Sequence, residues 1–95
     1  MKRMRAREIL EEIRLGKRYC RVSDHFEEEA LNEDFSIEDA WNILRRFKFL
    51  GDPEDRGRGL WRVRVDGETL DGRQARLVLD LGTEAPCCYV TIHGI

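Results

Sequence analysis

LWRVRVDGETLDGRQARLVLDL, residues 60–81, carries a period of two on both sides of a polar centre. Trp61, Val63 and Val65 alternate with Arg62 and Arg64; Ala75, Leu77, Leu79 and Leu81 alternate with Arg76, Val78 and Asp80. Successive side chains of a strand point to opposite faces, so each run reads as a strand with one apolar face. Asp71–Gly72 is the better hairpin apex between them, and Asp66–Gly67 is a bulge or an earlier apex. Downstream, Cys88, Val90 and Ile92 alternate with Tyr89, Thr91 and His93. A three-strand antiparallel meander is therefore expected from about residue 60 to 93.

Upstream the period is 3.6. Ala6, Ile9, Leu10 and Ile13 form one helical stripe over 5–15, and Gly16 suits the left-handed position that ends it. Residues 18–22 read as a short extended piece. Ser23 or Asp24 opens a helix over 24–33, and Ser36, with Asp39 three residues on, opens another over 36–47. Ile37, Ala40, Trp41 and Leu44 make its stripe, with Phe47 extending it, so Trp41 is expected in the core, as is Trp61. GDPEDRGRG, residues 51–59, reads as a flexible loop. The fold expected is α+β: residues 1–95 as a single domain, with helices packed on one face of a small antiparallel sheet.

Charge is partitioned along the chain. Residues 1–21 carry eight Lys/Arg against three Glu, residues 22–44 carry eight Asp/Glu and no Lys/Arg, and residues 45–76 carry nine Lys/Arg against six Asp/Glu. No apolar run approaches the roughly 20 residues that span a bilayer. The start, MKRMRAREIL, lacks the apolar region of a secretory signal, so a cytoplasmic location with no membrane partner is expected. Three cysteines, Cys20, Cys87 and Cys88, are an odd number and match no zinc spacing. They read as buried free thiols, and neither metal nor cofactor is expected.

Val22-Ser23-x-His25 opening a helix, Phe35-Ser36 opening the next, Asp71-Gly72-Arg73, and a final Val90-Thr91-Ile92-His93 together resemble a family of small bacterial domains of unknown function. That family is placed near the BrnT and RelE/ParE-like toxins, many of them ribonucleases, and the resemblance covers residues 18–93. It implies a RelE/BrnT-like fold, a toxin–antitoxin setting, RNA as a partner, and an antitoxin-like protein as another. Matched residue by residue, His25 takes the family's helix-opening histidine, Arg73 its arginine after glycine, and Thr91 its terminal threonine. The sequence departs at Glu29 and Glu33, where the family commonly has arginines.

A metal-independent ribonuclease needs proton-transfer groups and cations for the phosphate. His25 and His93 are the proton-transfer candidates, with Arg62 as the catalytic cation. Arg64, Arg73 and Arg76 are the phosphate-binding candidates, Tyr89 a base-stacking one, and Thr91 a further contact. Most of these are expected together on the open, basic face of the sheet. The alternative reading is a non-catalytic protein-interaction module or regulator that keeps the toxin-like fold.

Overall fold

The computed structural model describes all 95 residues. Three helices, α1 (Arg3–Arg14), α2 (Asp24–Glu33) and α3 (Ile37–Arg45), accompany six strands. The strands are β1 (Cys20–Val22), β2 (Phe47–Phe49), β3 (Glu54–Gly57), β4 (Leu60–Glu68), β5 (Gln74–Gly82) and β6 (Cys87–Gly94). They form one sheet in the order β1-β6-β5-β4-β2, with β3 also on β4. No helix is long and apolar enough to cross a membrane.

Local chemistry sets the helix ends. Gly16 sits at φ 74°, just past α1. The Ser23 hydroxyl accepts the Phe26 amide at 3.0 Å, capping α2, and donates to the Val90 carbonyl at 3.0 Å. One side chain thus starts a helix and ties it to β6. Ser36 and Asp39 make a full capping box on α3. Asp39 is buried, and its carboxylate also accepts the Leu70 amide at 3.0 Å, so the cap anchors the turn between β4 and β5.

The β4–β5–β6 meander forms as expected, with Val63, Val65, Ala75, Leu77, Leu79, Leu81 and Ile92 buried against Ala6, Ile9, Leu10, Phe26, Ala40, Ile43 and Leu44 of the helices. The sheet as a whole is mixed rather than antiparallel, because β1 runs parallel to β6. Two further strands stand where none was expected. The helix expected to reach residue 47 ends at Arg45, and Phe47–Phe49 pairs with Val65–Gly67. Phe47 and Phe49 lie edge to face at 5.2 Å between centroids, and Arg7 of α1 covers both rings. Glu54–Gly57 of the expected loop pairs with the other end of β4, turning at Arg58–Gly59. Gly67 is not an apex; it lies within β4, where an added Cβ would come within 3.0 Å of the Arg46 carbonyl and Ile43.

A β-bulge changes the reading of β6. Val78 pairs with Thr91 and Leu79 with Tyr89, leaving Val90 as the extra residue. One extra residue inverts the parity of everything before it. Cys87 and Tyr89 therefore face the core and Cys88 faces away, the reverse of the simple alternation.

Candidate functional site

The outer face of the sheet carries Arg62, Arg64 and Arg76 as expected, but not as free cations. Arg62 donates twice to Asp80, at 2.9 and 3.1 Å, and Arg76 donates twice to Asp66, at 2.8 and 3.1 Å. Both pairs stand directly across β4 and β5, where opposite charges stabilise a ladder. Arg64 donates to Glu54 of β3 at 2.8 Å. These bonds raise the Arg62 and Arg76 pKa values above the usual guanidinium range and lower that of Glu54.

The remaining sequence candidates do not converge. His93 projects from the outer face beside Arg76, whereas Arg62 is level with Asp80 and Cys88. Positions 76 and 80 are about 13 Å apart along a strand, and β4 is about 10 Å from β6 across the sheet. Those separations exceed the reach of one arginine. His25 is exposed in the first turn of α2, a helix packed on the core side of β6 through Phe26 and Ala30. Thr91 is half-buried opposite Val78.

Tyr89 is a correction. Its ring is 2% exposed and packs on Phe26 at 5.5 Å, so it is core and not a stacking platform on the sheet face. Its hydroxyl is buried without a hydrogen-bond partner. Burial pushes its ionisation above the usual tyrosine range and the Cys20 thiol adds to this; the Trp41 indole opposes without meeting hydrogen-bond geometry. Trp41 itself is 45% exposed, and Trp61 is half-buried outside the core cluster, against the expectation for both.

Arg73 is committed to the end of α2. It donates to the Glu33 and Asp34 carbonyls at 2.8 and 2.6 Å, pairs with Asp71 at 2.9 Å, and lies over the Phe35 ring at 4.2 Å. A cation there satisfies carbonyls that the helix leaves open and complements its dipole. Asp34, at φ 57°, turns the chain in the left-handed region beneath it. Arg73→Ala is expected to cost about 1–2 kcal/mol, given the partial exposure of the side chain. Lysine cannot reproduce the planar fork. Urea unfolding of R73A and R73K checks this; an unchanged midpoint in R73A would remove the capping role.

A cluster of cations without carboxylate partners lies beside the end of α3. Arg45, Arg46 and Lys48 are exposed, make no ion pair, and line an open groove of about 670 Å³ between the end of α3, β2 and β4. Asn42 and Gln74 add side-chain amides. Of the two carboxylates in the wall, Asp66 is held by Arg76 and only Glu68 has no ion-pair partner. The dipole of α3 favours a cation at Arg45 and Arg46 without any ligand. Lys48 lies on the edge strand β2, where a lysine also guards against pairing with another chain. The helical reading through residue 47 concealed this cluster, although Arg46-Phe47-Lys48-Phe49 alternates with period two. Cys20, Cys87 and Cys88 are free thiols, and burial raises the pKa of Cys20 and Cys88.

No family model, curated protein or solved structure matches the chain.

Proposed function

We propose that the chain is a non-catalytic RNA-binding module with a RelE/BrnT-like fold, which holds phosphates in the Arg45–Arg46–Lys48 groove. The observation that carries this is the contrast in pairing: Arg62, Arg64 and Arg76 on the sheet face are each engaged by a carboxylate, while the three cations clustered in the groove are free. Guanidinium and ammonium groups that keep their charge in water without a protein partner are the ones available to displace counterions from a nucleic acid. The sequence resemblance to a domain family placed near toxins that include many ribonucleases supports RNA as the polyanion. The separation of His25, His93 and Arg62 supports binding without cleavage.

Incubation with end-labelled RNA is expected to give a salt-sensitive gel shift and intact RNA. His25→Ala should leave the shift unchanged. Cleavage by the wild type that disappears in H25A would overturn the non-catalytic reading.

A second reading has its own observation. Asp24, Glu27, Glu28 and Glu29 of α2 make no ion pair, although the helix dipole accounts for Asp24 and Glu27 in the first turn. A basic segment of a protein partner would complement this helix. Binding of a basic peptide that disappears in an E28Q/E29Q variant, with no RNA affinity in the wild type, would favour that reading.

A further inference from the structure

Three open clefts adjoin one another along α3. The basic groove shares Asn42 and Arg45 with a second cleft of about 320 Å³, which Arg14 and Leu70 also line. That cleft shares Trp41 with a third, of about 380 Å³, where Lys17, Tyr19 and Cys20 lie between the end of α1 and β1. Glu38, Trp41, Asn42 and Arg45 are spaced i, i+3, i+4 and i+7, so one face of α3 runs through the series.

We infer that this face is a track for single-stranded nucleic acid, with phosphates held at its two ends and an unpaired base stacked on Trp41. The inference rests on the phosphate-binding reading of the groove and adds the strandedness of the ligand. Charge places the phosphates. Arg45, Arg46 and Lys48 stand at one end and Lys17 at the other, none paired, whereas Arg14 and Arg18 are neutralised by Glu11 and Glu12. Glu38 and Glu68 are the unpaired carboxylates on the path, and they disfavour phosphate at the middle. There the track instead presents an indole 45% exposed, with Tyr19, 73% exposed, further along.

An aromatic ring left in water between two cationic ends matches the alternation of base and phosphate in a strand. α3 is about 13 Å long at the rise of a helix, which spans about four stacked nucleotides. A duplex turns its base faces inward and has none free to stack on Trp41. Every base has a π face, so stacking on Trp41 would be tolerant of sequence, and DNA and RNA strands share the required chemistry.

The test is fluorescence anisotropy of a labelled RNA oligonucleotide, its DNA counterpart and the matching RNA duplex, against wild type, W41A, W41F and Y19A. Trp41 and Tyr19 are exposed, so these variants should fold; circular dichroism checks that they do. Wild type is expected to bind single strands at least about tenfold tighter than duplex. W41A should weaken binding to single strands about tenfold and to duplex not at all, with its salt dependence unchanged, and W41F should recover most of the difference. Y19A should show a smaller weakening on single strands. Equal affinity for strand and duplex, with no effect of W41A, would overturn the track and leave the basic groove standing. No salt-sensitive binding to any of the three would overturn both.

Discussion

Replacing Arg45, Arg46 and Lys48 together with alanine is expected to weaken RNA binding about 100-fold near 50 mM salt. Each is exposed, so each phosphate interaction is worth about 1 kcal/mol, the upper end for exposed ion pairs, and three sum to about 3 kcal/mol. The fold should be unaffected, because none of the three makes a side-chain hydrogen bond or ion pair within the protein. The single variant Lys48→Ala isolates the groove from the helix-end preference shared by Arg45 and Arg46, and should bind about fivefold more weakly. Filter binding against a short RNA measures both. A triple variant with unchanged affinity would place the phosphates elsewhere.

Gly82→Ala is expected to destabilise the domain by about 3 kcal/mol or more. Gly82 ends β5 and is buried, at the start of the connection that returns the chain into β6. A methyl group built there would lie 1.6 Å from the Ala85 carbonyl oxygen and 2.5 Å from its carbon. No side-chain rotamer relieves that overlap, because both colliding atoms are backbone. The connection must move, and it carries Cys87, whose sulfur accepts the Gly82 amide at 3.3 Å. The cost corresponds to a fall in Tm of about 12 °C or more for a chain of this length. A thermal melt within a degree or two of wild type would mean that the 82–86 connection relaxes freely.

The elements legible in the sequence are those encoded within a few neighbouring residues. Ser23 and the Ser36–Asp39 box mark helix starts because capping is an interaction across three positions. The alternation from 61 to 65 and from 75 to 81 places the core face of β4 and β5 because the pleat repeats every two residues. The elements that escape a sequence reading depend on partners distant along the chain. β2 and β3 are three and four residues long and exist as strands through their pairing to β4. The bulge at Val90 has no local signature among apolar neighbours, and it carries Tyr89 from the sheet face into the core.

The pairing of the sheet arginines is within reach of the sequence. With the hairpin centred on Asp71, Arg62 and Asp80 stand equally far from the apex, as do Asp66 and Arg76. The register of a two-strand unit follows from its turn, so these charges can be matched from residue positions alone. Arg73 is legible as a motif position but not in role, because the α2 carbonyls it caps lie 40 and 39 residues upstream.

The salt dependence of RNA affinity, measured between about 50 and 200 mM, separates the groove from the sheet face. Two variants are compared with wild type: the groove triple R45A/R46A/K48A, and the pair deletion E54A/R62A/R64A/D80A, which removes sheet arginines together with their carboxylates and leaves net charge unchanged. The slope of log affinity against log salt should flatten by about 2 in the groove triple, at about 0.7 for each phosphate no longer neutralised on a single strand. It should stay at the wild-type value in the pair deletion. A wild-type slope in the groove triple, with a flattened one in the pair deletion, would contradict the groove and return the phosphates to the sheet face.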